Sequence, residues 1–179
     1  MNNLEELKEL DNTFVESEFI SKVNNIFIML LSSVSDGNLK RVQHKISDVV
    51  YTKYNNIVSK LNERNIKQVY GELNIKSVHI NSYNKMNDKY VVEVTLVSRY
   101  LDYQVEKDSL KYISGNTDTR VEKVYNLVLT KRINTKKESI AHFCPYCGAS
   151  VDVNNNGTCK FCRKTYPTIE YDWILDDIK

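Results

Sequence analysis

Residues 90–106 read Tyr-Val-Val-Glu-Val-Thr-Leu-Val-Ser-Arg-Tyr-Leu-Asp-Tyr-Gln-Val-Glu. The stretch is rich in β-branched and aromatic side chains, which favour strands because they pack well on a pleated surface. It predicts one long β-strand, and Asn87-Asp88-Lys89 suits the turn that introduces it. The fold therefore depends on what pairs with this strand.

Two further strands are predicted, one before and one after the long strand, because apolar residues recur at alternate positions in both stretches. The first covers Leu73 to Tyr83, and the third covers residues 120–132. Ile113-Ser114-Gly115-Asn116 is expected to form the turn between the second and third strands. Since short turns join neighbouring antiparallel strands, the three are expected to form an antiparallel sheet.

Helices are predicted before the strands, where apolar residues recur at helical spacing. The expected helices cover residues 17–35, about 38–46 and about 48–65, and Ser47 or Asp48 is expected to cap the last one. Because helices and strands are segregated along the chain, the fold class is α+β. We expect N-terminal helices packed on a curved antiparallel sheet, followed by a small zinc ribbon.

The ribbon is predicted from the four cysteines of the chain, Cys144, Cys147, Cys159 and Cys162. They form two Cys-x-x-Cys pairs with eleven residues between the pairs. Four thiolates at this spacing can surround one tetrahedral metal ion, and such a closed site leaves no open position for water. The spacing therefore predicts one structural Zn²⁺, with these four cysteines as its ligands.

Iron binding, redox catalysis and disulfide formation are the alternatives to zinc binding for these cysteines. A single iron ion in four thiolates fits the spacing equally well, so zinc and iron both stay open. Redox catalysis usually needs one exposed Cys-x-x-Cys of low pKa on a thioredoxin-like scaffold, which the sequence does not indicate. Structural disulfides are disfavoured by the absence of a secretory signal.

Three units are predicted along the chain. Residues 1–16 form an acidic segment, residues 17–135 form the α+β domain, and residues 140–179 form the zinc ribbon with an aromatic tail. The tail, Tyr166 to Lys179, carries so much apolar area that it is expected to pack on the ribbon or on the sheet.

Composition indicates a globular chain, with 41% apolar residues, 27% charged residues and a formal net charge of +2. Residues 38–89 hold ten Lys or Arg against four acids. This basic face is explained either by solvated helices or by an anionic partner. The longest apolar run, Ile26 to Leu31, is too short to span a bilayer. We expect a location in the cytoplasm, or at the cytoplasmic face of a membrane.

A family resemblance rests on strings that occur in order along residues 17–179. They are Lys22-Val23-Asn24-Asn25, Ser98-Arg99-Tyr100-Leu101-Asp102-Tyr103, Ile113-Ser114-Gly115-Asn116, Arg120-Val121-Glu122-Lys123, the cysteine pairs and Asp172-Trp173-Ile174-Leu175. The set resembles a bacterial zinc-ribbon protein with a domain similar to mitochondrial inner-membrane translocase subunit 44. The resemblance implies a cone of the nuclear transport factor 2 type with a partly apolar pocket. It also implies a non-catalytic scaffold that lies against a membrane.

The leading functional prediction is a non-catalytic binding or scaffold protein whose partner is a protein or a membrane-associated complex. One alternative is a nucleic-acid or ribosome-associated module, using the basic face and the second cysteine pair with Lys160, Phe161, Arg163 and Lys164. The other is a small-ligand or enzymatic pocket in the cone. For that alternative the best polar candidates are Arg99, Asp102 and Tyr103, although structural ion pairing is the favoured explanation for Arg99 and Asp102.

Overall fold

The computed structural model describes residues 14–133, 161–163 and 172–179. Within residues 14–133 the chain forms helices up to Glu63 and strands from Ile66 onward. Helix α1 covers Glu16–Ser35, a single 3-10 turn covers Gln43–Lys45, and helix α2 covers Asp48–Glu63. The strands are β1 (Ile66–Met86), β2 (Lys89–Glu106), β3 (Tyr112–Arg132) and β4 (Ile174–Ile178).

The strands form one sheet in the order β1-β2-β3-β4, and every neighbouring pair is antiparallel. Helix α1 packs on β1, and helix α2 packs on β1 and β4. The predicted α+β class is therefore confirmed. Helices against such a sheet fit a cone of the nuclear transport factor 2 type.

The core lies between the helices and one face of β2. Val92, Val94 and Leu96, which alternate along β2, have no exposed surface. Phe27 and Leu30 of α1 are equally buried against that face. Burying a side chain of this kind contributes roughly 1.5–3 kcal/mol, so this layer is the main source of stability.

The prediction of a short helix over 38–46 is wrong, although the apolar residues named for it are buried as expected. Only Gln43–Lys45 form a 3-10 turn, yet Leu39, Val42 and Ile46 are buried in the core. Ser47 caps α2, because its Oγ accepts a hydrogen bond from the Val50 backbone N–H at 3.3 Å. The predicted cap at Ser47 or Asp48 is thereby resolved in favour of Ser47.

Two strand boundaries differ from the prediction. Strand β1 begins at Ile66 instead of Leu73, and β3 begins at Tyr112 instead of residue 120. The turn predicted at 113–116 is wrong, since these residues lie inside β3 and the chain reverses at residues 107–111. Gly115, with a φ of +104°, allows β3 to approach β2 closely at this point, and the chain does not reverse there.

Strands β1 and β3 each contain a bulge, where residues have no one-to-one partner in β2. Glu72 and Leu73 of β1 together oppose Tyr100 of β2, and residues 117–120 of β3 together oppose Leu101. Extra residues of this kind bend a strand and increase its twist. Arg120 Nε donates to Glu72 Oε2 at 2.8 Å, so an ion pair joins the two bulges across β2.

The described part of the aromatic tail, residues 172–179, packs on the sheet, which is one of the two places expected for the tail. Strand β4 continues the sheet beyond β3, with Ile174 opposite Thr130 and Ile178 opposite Leu127. Trp173 is 4% exposed, and its ring lies 4.9 Å from that of Phe19. The assignment of residues 140–179 to a separate unit stays a prediction, because most of them lie outside the described residues.

Asp172 fastens the tail to the helical layer. Its carboxylate accepts hydrogen bonds from Lys22 Nζ at 2.6 Å and Lys45 Nζ at 2.8 Å. Burial alone would raise the pKa of Asp172, but the two lysines outweigh it and hold this pKa at about 2. One carboxylate thus links β4 to both α1 and the 3-10 turn.

Candidate functional site

Three of the predicted metal ligands, Cys144, Cys147 and Cys159, lie outside the described residues. Cys162 is described and is partly exposed. Within the described ranges, no group of three or more His, Cys, Asp or Glu side chains is placed to hold a metal ion. The four-cysteine site therefore stays a prediction.

The predicted nucleic-acid contact is covered only in part. Phe161 is 74% exposed and Arg163 is also exposed, whereas Lys160 and Lys164 lie outside the described residues. Several cations of the basic face over residues 38–89 are paired within the protein, since Arg41, Lys45 and Lys76 lie within 4 Å of carboxylates. Its charges are thus not all available to an anionic partner.

The polar candidates on β2 do not form one constellation. Arg99 Nε lies 3.8 Å from Glu122, and Asp102 accepts a hydrogen bond from Lys123 Nζ at 2.7 Å. Both residues thus take part in ion pairs, which is the arrangement that the favoured explanation expects. Tyr103 is half-buried, and its backbone carbonyl accepts a hydrogen bond from Gln68 Nε2 at 3.1 Å.

Asp102 instead belongs to a polar chain that crosses three strands. Gln104 Nε2 donates to Gln68 Oε1 at 3.0 Å, and Gln68 Nε2 donates to Asp102 Oδ1 at 2.8 Å. The ammonium of Lys123 completes the chain at Asp102 Oδ2. Asp102 therefore accepts hydrogen bonds from a side chain of β1 and from a side chain of β3.

A cluster of four tyrosines lies next to this chain, beneath the helices. Tyr100 and Tyr125 share a hydrogen bond between their hydroxyls at 2.5 Å. The Tyr70 ring meets the Tyr100 ring edge-on at a centroid distance of 5.2 Å, and Tyr54 of α2 lies close enough to influence the other phenols. The sequence pattern did not indicate this cluster, because Tyr70 precedes the expected start of β1.

The tyrosines are held in the neutral form. Burial raises the pKa of Tyr54 and of Tyr100 to about 12. It also raises the pKa values of Tyr70 and Tyr125 well above the ordinary range. At physiological pH these phenols are hydrogen-bonding groups and do not act as bases.

Ser98 adds a polar atom to the same buried face. It lies two residues before Tyr100 on β2, has no exposed surface, and its Oγ has no hydrogen-bond partner among the described residues. The interior of the cone is therefore not uniformly apolar. The arrangement offers neutral hydroxyl and amide groups together with one ion-paired carboxylate.

The stability of the protein should fall between pH 10 and pH 12. Unfolded tyrosine has a pKa of about 10, so the unfolded chain loses phenolic protons that Tyr54 and Tyr100 retain when folded. The expected loss from Tyr100 is on the order of 1–2 kcal/mol by pH 12. Denaturant unfolding at a series of pH values measures it.

Two variants sharpen this measurement. Tyr100→Phe should flatten the alkaline decline, whereas Tyr112→Phe, at a position that is 55% exposed, should leave it unchanged. An equal alkaline decline in Tyr100→Phe and the unmodified protein would show that this phenol is not held neutral by the fold.

A shallow depression of about 170 Å³ lies where α2 ends and β1 begins. It is lined by Ile57, Lys60, Leu61, Arg64, Ile66 and Gln104. Its lining differs from that of the tyrosine cluster, because it combines aliphatic side chains with two cations.

The structure also bears on membrane contact. Within the described ranges, no helix combines the length and the apolar character that crossing a bilayer requires.

Comparison with known proteins identifies one family. The family model described as a Tim44-like domain matches residues 1–139, which include both helices and strands β1 to β3. No curated protein matches the chain.

Proposed function

Because the chain belongs to the Tim44-like domain family, we propose that it is a non-catalytic binding or scaffold protein associated with a transport or membrane-bound protein complex. The match over residues 1–139 is the observation that carries the proposal, since it covers 139 of the 179 residues. A fold alone supports many functions, so the weight lies on family membership and not on the cone shape. The proposed location is the cytoplasm, at the inner face of a membrane.

The polar interior of the cone supports a role without catalysis. Asp102, the carboxylate nearest the tyrosine cluster, is neutralised by Lys123 and hydrogen-bonded to Gln68. The phenols beside it have raised pKa values. Polar groups that satisfy one another in this way rigidify a core, which suits a binding or scaffold protein.

Crosslinking in the native cell tests the proposal. A tagged chain is crosslinked, membranes are separated from the soluble fraction, and the chain is isolated from both. The expected result is repeated recovery of components of one membrane-bound complex, released from membranes by high salt because the attachment is peripheral. Recovery of the chain alone from both fractions, with an unrelated tagged protein as control, would contradict the proposal.

We further propose that Cys144, Cys147, Cys159 and Cys162 hold one structural zinc ion. The support is the spacing of the two pairs and the chemistry of four thiolate donors, which suits zinc in tetrahedral coordination. When bound, the ion would crosslink the two pairs and stabilise the segment between them. Iron remains the alternative metal for the same donor set.

Purified protein should contain about one zinc ion per chain, because a complete four-thiolate set binds one ion. Cys144→Ser should lose most of this metal and make the cysteine segment susceptible to proteolysis, while α1, α2 and the sheet remain folded by circular dichroism. Ser150→Ala, between the two pairs, is the matched control and should retain the metal. Elemental analysis that finds iron would replace zinc, and a metal-free native protein would refute the site.

A further inference from the structure

We propose that the depression at the α2–β1 junction is a docking site for an aliphatic side chain from an acidic segment of a partner protein. The inference rests on the proposed scaffold function and adds to it the place and the chemistry of contact. It is carried by the apolar floor, by the charges at the rim and by the exposed apolar residues around it.

The floor of the depression is formed by Ile57, Leu61 and Ile66. Ile57 is 40% exposed, although it lies on a helix whose opposite side is buried in the core. The volume of about 170 Å³ is smaller than the roughly 300–1,000 Å³ of pockets that enclose drug-sized ligands. It suits one inserted side chain better than a whole small molecule.

The rim carries two cations, Lys60 and Arg64, which lie one turn apart near the end of α2. Neither has an ion-pair partner among the described residues. Cations at a helix C-terminus are stabilised by the helix dipole, which by itself could explain Lys60 and Arg64. The helix dipole does not explain the exposed apolar floor beside them. Glu63, the nearest acid along the helix, lies about 120° around the helix from Ile57 at 3.6 residues per turn.

Further apolar surface lies at the same end of the molecule. The Lys107 backbone N–H donates to the Asn65 carbonyl at 2.8 Å, which holds the β2–β3 turn beside the end of α2. Leu110 in this turn is 63% exposed, and the next residues of β3, Tyr112 and Ile113, are 55% and 46% exposed. These residues add exposed apolar area at the end of the molecule that carries the depression.

The turn also contains two acids, and both are engaged locally. Asp108 accepts a hydrogen bond from Asn65 Nδ2 at 2.9 Å, and Glu106 accepts one from Ser109. Both carboxylates keep their charge, but neither lines the depression, whose lining residues include the cations Lys60 and Arg64 and no acid. A partner with carboxylates beside an aliphatic residue matches these cations, and matched charge of this kind orients binding and increases its rate.

A protein segment fits this surface better than a lipid bilayer does. Polybasic sites for anionic lipids usually gather about four to eight cations on a protruding surface, whereas this rim has two around a concavity. Concave sites that receive one side chain are typical of the anchor positions of protein interfaces.

Site-specific photo-crosslinking in the native cell tests the site. A photoreactive residue replaces Asn56, which is exposed and one turn before Lys60, or Asn84, which is exposed near the far end of β1. We expect Asn56 to crosslink to a partner segment that contains both acidic and aliphatic residues, as identified by mass spectrometry. Lys60→Glu with Arg64→Glu should lower this yield about tenfold, because the reversed charges repel that segment.

Matched variants separate charge and shape from general damage. Lys85→Glu with Lys89→Glu makes the same charge change at the β1–β2 turn and should leave the yield unchanged. Ile57→Ala should lower the yield, while Val49→Ala, which removes apolar surface at a position of α2 that is 70% exposed, should not. All variants are checked for unchanged unfolding midpoints.

The outcomes distinguish the two proposals. Crosslinks at Asn84 but none at Asn56 would refute the docking site and leave the scaffold function standing, whereas silence at both positions would count against the scaffold function itself. The docking site is also refuted by a partner segment without acids, by an unchanged yield in Lys60→Glu/Arg64→Glu, or by crosslinks to other residues of the same chain. Binding to phosphatidylglycerol vesicles that requires Lys60 and Arg64 would assign the surface to lipid instead.

Discussion

Gly115→Ala should destabilise the protein by about 3 kcal/mol, because neither the backbone conformation nor the surrounding space accepts a side chain. The φ of Gly115 is +104°, a value that glycine adopts far more readily than alanine. A methyl group there would lie 2.4 Å from the Asp102 carbonyl oxygen and 2.5 Å from Tyr103 Cα. Both neighbours are backbone atoms of β2, so they cannot move aside without distorting the sheet.

Chemical denaturation measures this effect, with Gly71→Ala as the control. Gly71 also lies in a strand that pairs with β2, but its φ is ordinary and its nearest neighbour is the Leu101 side chain at 3.3 Å. We expect Gly71→Ala to cost less than half as much. Equal effects of the two substitutions would show that the close approach of β3 to β2 at Gly115 does not exist.

Trp173→Ala should destabilise the protein by roughly 3–5 kcal/mol, the range for removing a buried tryptophan. Trp173 is 4% exposed and packs against the rings of Phe14 and Phe19, 6.4 Å and 4.9 Å away. It directly precedes β4, so its loss also weakens the attachment of that strand to the helical layer. Thermal and denaturant unfolding should both report the change.

Two controls separate this effect from a general loss of aromatic residues. Phe161→Ala removes a ring that is 74% exposed and should stay within about 0.5 kcal/mol of the unmodified protein. Trp173→Phe should recover part of the lost stability, because a smaller ring still fills some of the space. A Trp173→Ala protein as stable as Phe161→Ala would mean that the tail is not part of the folded unit.

The fold was predictable where the sequence pattern is regular. The β-branched and aromatic residues of 90–106 predicted β2, and the helical spacing of apolar residues predicted α1 and α2. Prediction was wrong at Gly115 and Asn116, because these residues favour turns and bulges alike. Asn116 Oδ1 accepts backbone hydrogen bonds from Asp118 and Thr119, a local turn-like bond that here stabilises a bulge within a strand.

The candidate sites differ in how far sequence could predict them. The four-cysteine site is proposed from spacing alone, because two Cys-x-x-Cys pairs bring four thiolates within reach of one metal ion. The tyrosine cluster required the register that places Tyr70 opposite Asp102, and the depression required the place where α2 meets β1. Both depend on contacts between residues far apart in the chain, which periodicity does not specify.

The bend at Leu101 also affects how the sheet opens over time. Beyond the bend, strand β3 is exposed along residues 112–120, whereas alternate residues of β2 before the bend, namely Val92, Val94, Leu96 and Tyr100, are buried in the core. The amide hydrogens of residues 102–106 should therefore exchange with solvent through a local opening, while those of residues 92–98 should exchange only when the whole domain unfolds. The bulges that shape the cone would thus divide one continuous sheet into a labile end and a slowly exchanging centre.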